Sequence, residues 1–517
     1  MLRVSKLFGN VRCRPGGFMK TGGFVKTSCT ATIFALMLGL IGTTAAQTAA
    51  DVKPPDTPAG RTLAGFLAAF NTGEADTLRR FHKEHGDGEQ LVQEDLNFYN
   101  QSGGLKLVRV IQSSDYTIEV LVQSNKNERW LRLSMEVEKH TPYAIADIRV
   151  QPSSRPDDNQ SSAKPGGDGE QAPSAQKNMT DAQIVSSVAA YLDELVKQDK
   201  FSGVVLIAKN GKPIFEKAYG LANKSKNVAN NNETKFNLGS MNKMFTAVAI
   251  AQLVQAGKLS FEDTVGKYLP DYPNKEVAAK VTIHQLLTHT SGLGSYWNAR
   301  FDARKASIRS VSDYLALFAD EPAPLEPGKR FQYSNSGYIV LGAIIEKVSG
   351  KSYYDYVREH IYKPAGMNDT DAYEMTAEPS NLAMGYTAEG AGDGGRHENG
   401  ATRPNRGGPA GGGYSTVEDL LKFHVALRDH KLLNEKYTEL VTTGKVSMGG
   451  AKYAYGFGEE IINGKRVIGH NGGAPGIGSD LSMYADLGYT AVVMTNYDPL
   501  LMMPVVRKIR EMITLSR

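Results

Sequence analysis

Residues 465–497 read KRVIGHNGGAPGIGSDLSMYADLGYTAVVMTNY, and this stretch decides the fold. Its apolar residues fall into three short runs, KRVIGHNG, SDLSMYAD and YTAVVMTNY, whose composition and bounding glycines are those of consecutive strands. Asn463-Gly464 precedes them and signals a two-residue hairpin. Far upstream, GVVLIAK and PIFEKAYG flank a second such signal, Asn210-Gly211. Helical patterns dominate between the two groups, notably at 240–257, 311–319, 337–349 and 416–429. Strands at both ends with helices inserted predict one antiparallel sheet closed from both termini, an α+β arrangement.

Working outward, residues 152–178 (PSSRPDDNQSSAKPGGDGEQAPSAQKN) have almost no large apolar side chain. Such a segment cannot repay the entropy of ordering, so it is expected to be a disordered linker between domains. Before it, Leu63, Phe66, Leu67, Phe70 and Leu78 recur at roughly helical spacing, and LKLVRVIQ, YTIEVLVQ, WLRLSMEVE and YAIADIRVQ alternate as half-buried strands. Helix first and antiparallel sheet after resembles the small α+β cone modules of the nuclear-transport-factor-two type. That resemblance implies an accessory role in docking or ligand binding, with a partner the sequence does not name. His82 and His85 are expected at a solvated helix end rather than in a site.

The length of 517 residues suggests about three units. With 41% hydrophobic and 22% charged residues, the composition excludes a wholly disordered, collagenous or polytopic membrane chain. The net charge of +4 is concentrated at the start: Arg3, Lys6, Arg12, Arg14, Lys20 and Lys26 fall in the first 50 residues, which hold no Asp or Glu. The remainder carries −2, which argues against a nucleic-acid partner. Ala31 to Ile41 form an uncharged apolar core of signal-peptide length, too short to span a bilayer comfortably, with small residues after it and cleavage expected after Ala46 or Ala50. Met19-Lys20 offers a more compact start than Met1.

Both cysteines, Cys13 and Cys29, lie in or before this leader, so the mature chain has neither a disulfide nor a thiolate zinc site. Cys29 precedes the apolar core and is badly placed for lipidation. The expected layout is a signal peptide over 1–50, a small α+β domain over 51–151, the linker over 152–178 and a larger domain over 179–517. The expected destination is the periplasm or the medium, with no stable membrane span once the leader is removed.

The chemistry lies in the larger domain. Ser240-Met241-Asn242-Lys243 is an S-x-x-K that opens the apolar helix MFTAVAIAQLV. Residues three apart share a helix face, so the lysine reaches the serine hydroxyl, while the helix N-terminus favours an oxyanion. A lysine whose pKa is lowered can take the serine proton. The pattern alone is weak, because Ser161 to Lys164 and Ser174 to Lys177 match it inside the linker.

Tyr333-Ser334-Asn335 stands before a helix in FQYSNSGY, where a phenol can relay a proton and an amide can hold a substrate carbonyl. Tyr296-Trp297-Asn298 has the same spacing without that context. His470-Asn471-Gly472 ends a strand and runs into Gly473, leaving room for a substrate along the strand edge. The backbone amides of Gly473 and Ser240 are a candidate oxyanion hole.

Taken in order, Ser-x-x-Lys, Tyr-x-Asn and His-x-Gly resemble the active-site elements of the penicillin-recognising serine hydrolases: class C β-lactamases, D,D-peptidases and β-lactamase-like esterases. TIHQLLTHTSGL at 282–293, KYLPDYP at 267–273, PAGM at 364–367 and PAGGGYSTVEDLLKF at 409–423 extend the resemblance over about 180–515. It implies a β-lactamase/transpeptidase-like domain with a five-stranded antiparallel sheet flanked by helices, plus a helical subdomain. It further implies Ser240 as the acylated nucleophile, Lys243 as its base, Tyr333 as general acid or base, and Asn335 as a substrate-positioning amide. His470, Asn471, Gly472 and Gly473 fall to substrate and oxyanion binding. His470 stands where many β-lactamases have the lysine of Lys-Thr-Gly, which replaces a fixed cation by an imidazole whose charge depends on pH.

Other chemistries fit less well. No G-x-S-x-G is present, and His284 and His289 read as capping or packing residues rather than metal ligands. The glycines of 388–413 match no P-loop and are expected to form a flexible wall beside the site or a surface loop. No cofactor or metal is expected. The expectation is an exported serine hydrolase acting on a small-molecule or peptide ester or amide through a Ser240 acyl-enzyme. D,D-carboxypeptidase or D-amino-acid peptidase and esterase activities rank ahead of β-lactamase, and a penicillin-binding sensor with little turnover is the alternative of another class.

Overall fold

The computed structural model describes residues 52–85, 91–126, 130–152, 179–388, 395–448 and 450–516. The leader, with Met19, both cysteines and the cleavage positions, and residues 153–178 of the linker, with its two S-x-x-K matches, lie outside the described residues.

In the N-terminal part, α1 (Pro58–Phe70), α2 (Ala75–Glu84) and α3 (Leu91–Ser102) precede four strands, β1 (Leu105–Ser113), β2 (Thr117–Ser124), β3 (Trp130–Val137) and β4 (Ile145–Pro152). The strands form an antiparallel sheet in chain order. Leu63, Phe66, Phe70, Leu78 and Phe81 from the helices meet Ile118, Val120, Leu133 and Met135 from the sheet in one core, as the helical and alternating periods require. His82 departs from expectation. It is buried, with Nε2 2.7 Å from Asp95 Oδ2 of α3, because α2 turns this face toward α3 rather than toward water.

Downstream, α4 (Asp181–Lys197) leads into β5 (Gly203–Lys209) and β6 (Lys212–Tyr219). Their turn has Asn210 at φ +52° and Gly211 at φ +79°, the left-handed pair that makes Asn-Gly a hairpin signal. The helices α5 (Asn242–Gln255), α6 (Asn335–Ser349) and α7 (Val417–Arg428) follow, with shorter helices between. The chain then returns as β7 (Val446–Met448), β8 (Ala451–Tyr453), β9 (Gly458–Ile462), β10 (Lys465–Ala474), β11 (Ile477–Tyr484) and β12 (Tyr489–Thr495), and ends in α8 (Pro499–Thr514).

The sheet order is β7-β8-β9-β10-β11-β12-β5-β6, antiparallel throughout. Thr495 pairs with Gly203 and Tyr489 with Lys209, so the late meander closes against the early hairpin. The five strands expected are present as β10, β11, β12, β5 and β6. Three short strands extend the β10 edge, a feature missed because two of them have three residues each, too few to show a period.

Alternation along β5 sorts its side chains between two cores. Val204, Leu206 and Ala208 join the core that holds α5, α6 and α7, with α7 against the strand, whereas Val205 and Ile207 join the core of α4 and α8. A sheet covered on both faces explains the unbroken apolar run GVVLIAK. The Arg510 guanidinium of α8 bonds the buried Asp480 carboxylate of β11 at 3.1 Å and Glu460 of β9 at 3.0 Å, which fixes that helix on the sheet. No helix among the described residues is long and apolar enough to cross a membrane.

Candidate active site

Ser240 sits in a single helical turn, Gly239–Met241, that runs directly into α5. The turn rests on β10. A Cβ on Gly472 would lie 2.0 Å from the Leu238 carbonyl oxygen, and one on Gly239, at φ +49°, would lie 2.8 Å from the Gly473 amide nitrogen. Only glycine allows this approach. The Ser479 hydroxyl of β11 donates to the Leu238 carbonyl at 2.8 Å and fastens the turn to the sheet. The amide of Gly473 is thereby brought beside the turn that carries Ser240.

Lys243, one helical turn on, is fully buried. Its Nζ lies 3.1 Å from Ser240 Oγ, 2.8 Å from Asn335 Oδ1 and 2.5 Å from the Ala410 carbonyl oxygen. Burial holds its pKa well below the ordinary lysine value. A neutral amine has two N–H groups and one lone pair. Asn335 and Ala410 accept the two protons, which leaves the lone pair for the serine O–H.

Tyr333 and Asn335 come from the segment that enters α6. Ser334 is the N-cap of that helix: its hydroxyl accepts from Gly337 N–H at 2.9 Å and donates to the Gly294 carbonyl at 2.7 Å. The segment is also tied to His289, whose carbonyl accepts from Gln332 N–H at 2.7 Å and whose Nδ1 accepts from Ser334 N–H at 3.0 Å. The His289 ring lies 4.2 Å from the Tyr333 ring. Lys243 Nζ lies 4.8 Å from the centre of the same phenol.

The Tyr333 side chain remains 38% exposed, open toward solvent at the mouth of the site. Crowding around its hydroxyl raises its pKa, against a smaller opposing effect of the adjacent Ser240 hydroxyl. Asn335 Nδ2 donates to Ser295 Oγ at 3.3 Å, linking the site to the loop after Gly292.

His470 is buried on β10, and its Nε2 lies 2.9 Å from the Tyr453 hydroxyl of β8. Nδ1 lies 2.5 Å from the Asn471 carbonyl oxygen. A carbonyl only accepts, so Nδ1 carries the proton and Nε2 accepts from the tyrosine. Burial pulls the His470 pKa down to about 3. Burial therefore moves the pH dependence expected of this imidazole to acid pH. Asn471 pairs with Asp480 and Gly472 with Ser479 in the β10–β11 ladder.

The structure thus brings Ser240, Lys243, Tyr333, Asn335 and the His470–Gly473 strand to one place. His284 and His289 are packing residues: His284 Nδ1 lies 2.7 Å from the Tyr455 hydroxyl, and His289 is buried behind Tyr333. Tyr296 is buried and Asn298 caps the helix Ala299–Arg304, so the second Tyr-x-Asn is structural. Among the described residues, no group of three or more His, Cys, Asp or Glu side chains is placed to hold a metal.

The glycine-rich segment differs from expectation. At its C-terminal end it packs into the core of the site: Gly407, Gly408, Pro409 and Ala410 are buried, and their carbonyls accept from Tyr354, Asn242, Thr246 and Lys243, while Gly395, His397, Glu398 and Ala401 are exposed. Ala410 was missed because a carbonyl ligand leaves no mark on side-chain chemistry. Tyr453 was missed because its short strand shows no period.

Comparison with known proteins agrees with this geometry. The Beta-lactamase family matches residues 188–513. Penicillin-binding protein 4* of Bacillus subtilis is 30% identical over 327 residues, covering 59% of this chain and 70% of that protein. Among solved structures, a penicillin binding protein from Bacillus halodurans is 34% identical with a TM-score of 0.56, covering 61% of this chain and 99% of that one. The D-amino acid amidase from Ochrobactrum anthropi SV3 is 25% identical with a TM-score of 0.55, covering 64% and 98% respectively. From its matched residues and its fold alike, the chain belongs to the Beta-lactamase family of serine hydrolases.

Proposed function

We propose that the chain hydrolyses small esters or amides, of the D-amino-acid amidase or peptidase and esterase types, through a Ser240 acyl-enzyme. The observation that carries this reading is the buried Lys243 amine, with Ser240 Oγ, Asn335 Oδ1 and the Ala410 carbonyl around it. The neutral amine takes the Ser240 proton as Oγ attacks the carbonyl carbon. The amides of Ser240 and Gly473 receive the negative charge on the carbonyl oxygen. Tyr333, beside Ser240, passes the proton to the departing amine or alkoxide. Water then attacks the acyl-enzyme, its proton returns through the same groups, and Ser240 is released with the acid as product. The names of the amidase and penicillin-binding relatives support an amide or peptide-like substrate.

In this reading the chain works outside the cytoplasm, on the strength of the leader-type sequence in the first 50 residues. The small α+β part is a separate accessory domain.

The test incubates the purified protein and Ser240→Ala with a short-chain p-nitrophenyl ester, D-phenylalanine p-nitroanilide and a chromogenic cephalosporin, recording turnover and intact mass together. Ser240-dependent turnover of the ester or anilide is expected. Rapid cephalosporin turnover would move the assignment to β-lactamase. A stoichiometric β-lactam adduct without turnover of any probe would move it to a penicillin-binding sensor, and neither adduct nor turnover would overturn it.

A further inference from the structure

We propose that Tyr453 is the positioning residue that holds His470 as a neutral imidazole with its proton on Nδ1, so that the His-x-Gly strand offers a substrate no positive charge and the site favours esters and amides whose group beside the scissile bond is uncharged. This rests on the function proposed above. Both ring nitrogens of His470 are engaged by the protein, Nε2 by the Tyr453 hydroxyl at 2.9 Å and Nδ1 by the Asn471 carbonyl at 2.5 Å. Neither is left to pair with a carboxylate.

Tyr453 is itself fixed. It is 2% exposed, its ring packs 4.6 Å from His289 and 5.8 Å from Phe331, and β8 holds its backbone in the sheet. The titratable groups around His470 are Lys243 of α5, Tyr333 and His289 beside the entrance to α6, and Tyr453 of β8, whose hydroxyl also meets that of Tyr338 of α6. None of them is an acid that would stabilise an imidazolium. A cationic His470 would also face the Tyr453 hydroxyl as a donor opposite a donor, unless that O–H turned away. The tyrosine therefore disfavours the charged form by geometry as well as by burial, and substrate selection follows from the strand's neutrality.

The experiment uses the full chain, Tyr453→Phe and His470→Gln. Histidine 15N spectra recorded from pH 5 to 8, with His470→Gln supplying the assignment among the ten histidines of the sequence, report tautomer and charge directly. Two p-nitrophenyl esters matched in size, one neutral and one with a free carboxylate beside the reacting carbonyl, are compared by kcat/KM across the same range. Their Kd ratio is measured in the Ser240→Ala background, so that selectivity is read even without turnover.

The wild type is expected to show a neutral, Nδ1-protonated His470 throughout and to prefer the neutral ester. Tyr453→Phe keeps the ring and removes the hydroxyl. It is expected to leave Nε2 without its protein partner, so that a share of the neutral ring carries its proton there and can donate to a carboxylate, and to lower the preference by about ten-fold, the size of regaining one contact to a charged group. An Nε2-protonated or cationic His470 in the wild type, or an unchanged ester ratio in Tyr453→Phe, overturns the proposal. If Tyr453→Phe does not fold, the wild-type spectrum and the Kd ratio decide. Loss of catalysis alone strikes at the Ser240 mechanism and leaves the spectrum and the Kd ratio to judge Tyr453.

Discussion

Replacing Lys243 by methionine tests the protonation state on which the mechanism turns. Methionine keeps the stem and close to the volume in a site with no exposure, so packing changes little. The ammonium of an unfolded chain titrates at about 10.4, whereas burial holds the folded Lys243 well below that. Between those two values the unfolded chain carries a proton that the folded chain lacks. Stability contributed by this residue therefore rises with pH, by about 1.4 kcal/mol per unit. The sign follows: the wild type loses this amount for each unit the pH falls below the unfolded value, down to the folded pKa.

Lys243→Met carries no such proton, so the wild type should gain stability relative to the variant as the pH rises, by about 1.4 kcal/mol for each unit between the folded and unfolded values. Denaturant unfolding of both proteins at pH 7, 8 and 9, followed by circular dichroism, measures that difference, and groups common to the pair cancel. Turnover of the ester probe should fall by about 10²- to 10⁴-fold, the range for loss of a general base. Stability curves that run parallel in pH would mean that Lys243 is charged in the folded protein, and its assignment as the base would fall with them.

Tyr333→Phe should slow Ser240 acylation by at least about 10²-fold with thermal unfolding nearly unchanged, because the ring is retained; burst kinetics and melting curves measure both. Gly472→Ala should abolish turnover and cost about 1–3 kcal/mol, since its Cβ would lie 2.0 Å from the Leu238 carbonyl and must push the nucleophile turn off the strand. With His470 held near 3, the unfolded chain takes up a proton as pH falls below about 6.5 while the folded chain does not, so wild-type stability should fall relative to His470→Gln down to that value. Urea midpoints between pH 4 and 7 measure this. Leu206→Ala, fully buried in the core beside α7, should cost about 2–5 kcal/mol in denaturant unfolding and leave the pH profile of turnover unshifted.

How much was legible in the sequence depends on what each element reports. The sheet's long strands announce themselves through short apolar runs and through Asn-Gly turns with left-handed φ values, and S-x-x-K is local, so helical geometry alone predicts the approach of Lys243 to Ser240. Asn335 and His470 lie far along the chain from Ser240, and family resemblance rather than spacing pointed to them. The partners of these residues were hidden. Ala410 acts through a backbone carbonyl, and Tyr453 stands on a three-residue strand. Composition misled at two places. Charged neighbours made His82 look solvated although it packs against Asp95. The glycine content of 388–413 suggested a flexible wall or a surface loop, whereas at Gly408 and Gly411 close approach to Tyr314 and Gly239 is the reason for glycine.

The pairing of β12 with β5 has a consequence for how the chain is made. Gly203 and Thr495 are partners, so β5 keeps one open edge until nearly all of the chain has been synthesised. Contacts so distant in sequence make folding slow, since the closure entropy of the intervening loop is paid before the pair forms. Until then β5 offers other chains a fully apolar template with unpaired amides, which exposes a nascent or truncated chain to aggregation. The nucleophile turn inherits the same timing: it leans on β10, and that strand emerges late.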